Sequence, residues 1–201
     1  EVAVALAGRS LERARALTAE DDPPGPALGL GLTATIATDR RKRGDHRAWV
    51  AVADELGVRR SGVVLEKGAR DRAGEEALVG RLLLVRTAEA SGVLGTPGPD
   101  LREGERIEHG FEPSAAFARF LADDGAVLSI DADGQPHEGP PSGPAPALVS
   151  GSFHPMHAGH RGLAQAAEAH LGRPAWFEMS LGNAEKASID AADAAARAAQ
   201  A

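Results

Sequence analysis

The chain has 201 residues, enough for one large or two small domains with a buried core. Its formal charge of −7 at pH 7 argues against a duplex nucleic-acid binder, and two tryptophans, five phenylalanines and no tyrosine are few for stacking single-stranded bases. The absence of cysteine excludes disulfides and thiolate chemistry and suits the cytoplasm, and no apolar run is long enough for a membrane span or a signal peptide.

Taken in order, Glu1 to Thr18 is rich in Ala, Leu and Arg and predicts a helix that Pro23-Pro24-Gly25-Pro26 ends. Ala27 to Asp39 follows with Leu28, Leu30, Leu32, Ala34 and Ile36 alternating against Gly29, Gly31, Thr33 and Thr35, the period of a strand. The basic turn Arg40-Arg41-Lys42-Arg43-Gly44-Asp45 could meet a phosphate, but a solvated turn is the simpler reading. Trp49 to Ala53 and Gly62 to Leu65 supply two more strands, giving a sheet of at least three with a hairpin.

Asp71 to Ala90 predicts a helix whose Ala77, Leu78, Leu82, Val85 and Ala88 form a core stripe, with Asp71, Glu75 and Glu76 at its start as partners for Lys67, Arg70 and Arg72. Ser91 to Glu112 reads as turns, Ser114 to Leu121 as a short amphipathic helix, and Val127 to Ile130 as a strand entering the turn Asp131-Ala132-Asp133-Gly134. The proline-rich run from Pro136 to Pro146 reads as the linker between halves. His46, His109, His137 and His170 stand alone, and surface or capping roles are expected of each.

The second half is organised around Gly151-Ser152-Phe153-His154-Pro155-Met156-His157-Ala158-Gly159-His160. A short apolar run, Ala147-Leu148-Val149, precedes it. An Ala/Leu-rich helix, Arg161 to Leu171, follows and is stopped by Gly172 and Pro174; Ala175 to Ser180 then reads as a second buried strand. The loop is thus the first turn of a parallel, right-handed βαβ unit, and free amides at its helix start favour phosphate. Gly151 and Ser152 would let a ligand approach the backbone, and His157 and His160, three apart, can face one side and hold phosphate oxygens. His154, His157 and His160 also form a His-x-x-His-x-x-His run, but Pro155 turns His154 out of helical geometry and Gly159 interrupts it, so no metal site is expected. Asn183 and Lys186 fall where a pocket-lining loop would lie, with loop polarity the simpler reason for them. The alanine-rich run Ala191 to Ala201 continues a helical pattern without a stop, and the chain reads as a piece of a longer protein.

The pattern Gly151-Ser152-Phe153-x-Pro155-x-His157-x-Gly159-His160 resembles the signature of the cytidylyltransferase-like nucleotidyltransferases, which include adenylyltransferases for nicotinamide mononucleotide and pantetheine phosphate. The resemblance implies phosphate-contacting catalytic roles for His157 and His160, with Gly151, Ser152, Phe153, His154 and Gly159 forming the nucleotide-binding loop. It also implies a Rossmann-like domain of the HUP type and Mg²⁺ arriving with the nucleotide. His154 stands where many members carry Asp or Asn, and the second signature of that family, on a later helix start, has no match after His160.

The first half is similar, more weakly, to the CinA C-terminal, nicotinamide-nucleotide amidase-like domain. The similar stretches are Gly29-Leu30-Gly31-Leu32-Thr33-Ala34, Asp39 to Arg47 and Lys67 to Glu76. That family's Ser/Gly-rich catalytic segment has no counterpart in these residues, so no amidase residue is assigned. The expected organisation is α/β: a partial sandwich domain over 1–95, a connector over 96–146, and the first βαβ of a nucleotidyltransferase domain over 147–201. The expected function is transfer of a nucleotidyl group from ATP or CTP to a small phosphorylated acceptor, with no nucleic-acid or membrane partner and with self-association left open. An amidase-like hydrolase and an inactive nucleotide sensor are the alternatives.

Overall fold

The computed structural model describes residues 1–18, 25–40, 43–123, 125–182 and 189–201. Pro23, Pro24, Arg41, Lys42, Asn183 and Lys186, named above, lie outside them. The chain is mixed α/β, with a four-stranded antiparallel sheet and two small two-stranded sheets.

Helix α1 (Val2–Leu17) lies across strand β1 (Gly29–Thr35), with Ala3, Ala7 and Leu11 buried one turn apart. The contact is backbone to backbone. A Cβ on Gly31 would stand 2.0 Å from the Ala3 carbonyl oxygen, and one on Gly29 2.0 Å from that of Ala7. The glycine face of β1 is therefore the buried one, while Leu30 and Leu32 are 38% and 39% exposed. The alternation alone does not say which face is buried: a period of two separates two faces, and the closest approach selects the face without side chains.

Strands β2 (His46–Asp54) and β3 (Gly57–Leu65) form a hairpin whose turn is tied by Asp54, which accepts from the amides of Leu56 and Gly57 at 2.9 and 3.1 Å. Trp49 of β2 lies across Gly62 of β3, where a Cβ would meet its ring at 2.5 Å. Alternation along β2 serves both sides of the sheet. Ala51 and Ala53 pack with Ala3, Ala7 and Leu11 of α1, whereas Ala48 and Val50, with Val63 and Leu65, pack under Leu78, Val79 and Leu82 of helix α2 (Arg72–Ala90). Leu30 and Leu32, paired with Val52 and Val50, share the α2 face but sit on the edge strand. Helix α2 begins as expected at Asp71, which accepts from the Gly74 amide at 2.8 Å.

Under α2 lies a buried polar pair. Glu75 is 0% exposed, its Oε1 is 2.7 Å from His46 Nδ1, and its Oε2 accepts from the Ala37 amide at 2.6 Å. His46 is thus neither a surface residue nor a cap: its place in β2 puts it on the same face as Ala48 and Val50. His109, His137 and His170 are exposed, as expected. His109 Nδ1 lies 3.0 Å from Ser61 Oγ, with burial and then Arg86 pushing its pKa down, and His137 pairs with Asp131 at 2.8 Å across the turn.

Strand β4 (Ile107–Pro113) completes the sheet beside β3. It falls inside the stretch read as turns, because Gly110 and three acidic residues from Glu105 to Glu112 mask the alternation of Ile107, His109 and Phe111. Before it, Glu105 is gripped by both guanidinium nitrogens of Arg70, at 2.7 and 2.9 Å, and by the amides of Glu66 and Arg102, each at 2.8 Å. Arg70 therefore pairs across the fold, while Arg72 bonds Glu76 one turn along as expected. These donors, the Arg70 hydrogen bond foremost, lower the Glu105 pKa from its ordinary 4.5 to about 2.

Helix α3 (Ala115–Leu121), capped by Ser114, and the hairpin β5 (Leu128–Ile130) and β6 (Pro136–Glu138) follow, so the linker run contributes a short strand. Strand β7 (Ala147–Ser150), helix α4 (Ala158–Leu171) and strand β8 (Ala175–Glu178) form the parallel βαβ unit, with Leu148 opposite Trp176. Helix α4 ends on Gly172 at φ 61, the left-handed conformation of a glycine stop. Last, α5 (Ala191–Ala198) returns to the first half, where Ala194 and Ala195 share a core with Leu56 and Phe117. That cluster draws on residues from all three sequence segments. Among the described residues no helix is long and apolar enough to cross a membrane.

Two outcomes test these packing relations. Gly31→Ala forces α1 off the sheet and lowers unfolding stability by about 3 kcal/mol, whereas Gly8→Ala, with nothing within 4 Å of the added methyl, raises it by about 0.5–1 kcal/mol; urea unfolding measures both. Because the folded pKa of Glu105 is depressed, its contribution is present above the ordinary value and fades as pH falls toward about 2. Between about pH 5 and pH 3 the wild type therefore loses about 1–2 kcal/mol more stability than Glu105→Gln, a difference that urea titrations at each pH resolve.

Candidate functional site

The loop leaving β7 is shaped by its own side chains. The Gly151 amide donates to the Glu178 carbonyl at 3.0 Å, and Ser150 Oγ donates to the Glu178 carboxylate, which fixes the loop to the end of β8. Phe153 is 3% exposed at φ 44, and its ring meets those of Phe177 and His160 edge-on, each at 5.2 Å. A Cβ on Gly151 would lie 2.7 Å from the Phe153 ring. The space that Gly151 provides is thus filled by Phe153, and this accounts for their spacing.

His157 is the N-cap of α4, so the helix starts three residues earlier than the sequence reading placed it. Its Nδ1 accepts from the Gly159 amide at 3.2 Å, while His160 Nδ1 accepts from the His157 amide at 3.3 Å. Two imidazoles here perform the reciprocal capping that a hydroxyl and a carboxylate usually perform. Their rings stack with centroids 3.8 Å apart and planes at 23°. A Cβ on Gly159 would stand 3.1 Å from the His157 ring, so a larger residue there would crowd it. The loop thereby brings His157, Gly159 and His160 together, and with each Nδ1 committed, the Nε2 positions carry the ring protons and supply donors beside the positive end of the α4 dipole. His154 stands apart: its side chain is 62% exposed, with Nδ1 4.0 Å from an Asp193 oxygen. Ser152 is exposed.

The amides expected to be free at the helix start are largely taken. Besides those of His157 and Gly159, the Met156 amide donates to Gln200 Oε1 at 3.1 Å. Helix α5 and the turn after it supply this and more. Arg197 donates to the Ser152 carbonyl at 3.0 Å and to Asp193 at 2.6 Å, and Arg161 donates to the Gln200 carbonyl at 2.8 Å. Asp193 is consequently held below the usual carboxylate range, chiefly by its bond to Arg197. Sequence reasoning passed over these residues, although Asp193, Arg197 and Gln200 are spaced four and three apart in the alanine-rich run, the spacing of one polar stripe. Among the described residues no group of three or more His, Asp or Glu side chains is placed to hold a metal ion.

A separate open cavity of about 420 Å³ lies at the start of α1, lined by Thr33, Ala34, Thr35, Arg47 and Trp49 with the first residues of the helix. It includes the Thr33-Ala34 segment of the amidase-like resemblance.

Comparison with family models, curated proteins and solved structures finds no match to this chain.

The cap fixes an observable tautomer. Long-range ¹H–¹⁵N spectra of the neutral rings should show both His157 and His160 protonated at Nε2, and Gly159→Ala, which crowds the His157 ring, should move its resonances.

Proposed function

We propose that the 151–160 loop is an anion cradle and that the protein transfers a nucleotidyl group from ATP or CTP to a small phosphorylated acceptor, a nicotinamide or related mononucleotide. The stacked pair His157 and His160, at the N-terminus of a helix that directly follows a parallel strand, carries this reading. It is the place where a Rossmann-like βαβ unit takes a phosphate. In the reaction an acceptor phosphate oxygen attacks the α-phosphorus, the bond from that phosphorus to the bridging oxygen breaks, and pyrophosphate leaves with the electron pair. Little covalent chemistry is asked of the protein, and its work is to orient the triphosphate and stabilise charge growing on the α-phosphate and the leaving group.

His157 and His160 suit that work through their Nε2–H donors. Phe153 holds the His160 ring edge-on from beneath, which fixes its aim. Mg²⁺ on this reading arrives with the triphosphate, whose oxygens and waters supply most of its ligands, and adds charge neutralisation. The carboxylates nearest the loop, Glu178 and Asp193, are engaged by Ser150 and Arg197 and form no dedicated cage.

Hydrolysis by the first half is less well supported. Ser61 and His109 are in contact at 3.0 Å, yet Ser61 is 1% exposed and its hydroxyl has no path to a substrate carbonyl.

Pyrophosphate release with ATP or CTP across phosphorylated acceptors tests the proposal. His160→Ala should cut turnover by about 100-fold or more, as removal of one preorganised charge-stabilising donor does, with circular dichroism unchanged. Near-normal turnover in that variant rejects the assignment; nucleotide binding without release in the wild type points to a sensor.

A further inference from the structure

Resting on the cradle reading, we propose that the segment from Arg197 to Gln200, where α5 ends and turns, is a latch that competes with anions for the 151–160 loop. An amide has one hydrogen, and that of Met156 is already given to Gln200. Gln200 is 6% exposed and oriented for this contact: its Nε2 donates to the Ala196 carbonyl at 3.1 Å, which leaves Oε1 facing the loop. Its carbonyl takes Arg161, the cation next to His160, at 2.8 Å. Arg197, with its side chain 13% exposed, is spent on Asp193 and the Ser152 carbonyl. Arg161 is thus held by the turn that follows α5 and Arg197 by the loop's own backbone and Asp193, so both guanidinium groups are engaged, and the Asp193 carboxylate adds a negative charge 4.0 Å from His154.

The latch is closed but not fully satisfied. Arg197 Nε is buried without a partner, a cost borne by the closed state. A phosphate is a stronger acceptor than a carboxamide, so exchange at the Met156 amide favours the ligand and frees Arg161 to join it. The body of α5 need not leave, because Ala194 and Ala195 stay in the core with Leu56 and Phe117. Only the turn from Arg197 to Gln200 has to give way.

Calorimetric titration of the full chain with inorganic pyrophosphate tests the latch in wild type, Gln200→Ala and Gln200→Glu. Loss of the carboxamide should tighten binding about fivefold, the worth of one neutral hydrogen bond. A carboxylate in its place holds the amide more strongly and repels the ligand, and should weaken binding about tenfold. Equal affinities in all three proteins, or weaker binding by Gln200→Ala with its unfolding midpoint unchanged, overturn the latch and leave the cradle standing. Absence of pyrophosphate binding in all three overturns the cradle and the latch with it.

Discussion

Where α1 crosses the strand beneath it, backbone meets backbone. Gly29 and Gly31 admit the helix because they have no side chain, and Ala3, Ala7, Ala51 and Ala53 keep the layer thin on both sides of the contact. The opposite face of the sheet is built on another scale, with Leu78, Val79 and Leu82 filling the space under α2. Strand β2 runs between the two layers and is buried on both faces from Val50 to Ala53. With β2 fixed, the β2–β3 turn is fixed, and Leu56 at that turn is a floor on which α3 and α5 assemble. The location of the candidate site, at the far end of α5, follows from that chain of contacts.

The loop itself shows how a pattern read for a ligand also serves the chain. Gly151 makes room for Phe153, Gly159 makes room for His157, and the two imidazoles close the helix start. Each is the residue type that a phosphate site needs, and each has a structural occupation in the absence of one. These roles are compatible, since a loop that holds its histidines in one arrangement presents their outer nitrogens without further reorganisation.

Periodicity made the long helices legible: the Asp71 cap of α2, the run of α1 and the Gly172 stop of α4 stand where the residues put them, and of the α2 stripe Leu78, Leu82 and Val85 are buried, while Ala77 is exposed and Val79 takes a core place instead. The order β7, α4, β8 and its parallel pairing were legible for the same reason. Other features depend on contacts between residues far apart in the chain. Which face of β1 is buried is decided by α1, some twenty residues earlier, and the His46–Glu75 pair spans 29 positions. Strand β4 is held by its neighbour β3 more than by its own composition. In the candidate site the histidine pair was legible from spacing, but the grip of Arg197 and Gln200 was not, because an alanine helix gives no sign of where it will dock.

The placement of the two tryptophans has a practical consequence. Trp49 lies across Gly62 in the antiparallel sheet, while Trp176 sits opposite Leu148 in the small parallel one. Each half of the chain therefore carries its own intrinsic fluorophore, with no tyrosine to blur the signal. Replacing either indole with phenylalanine would leave a spectroscopic reporter confined to one sheet, through which the cooperativity between the βαβ unit and the larger sheet becomes directly visible.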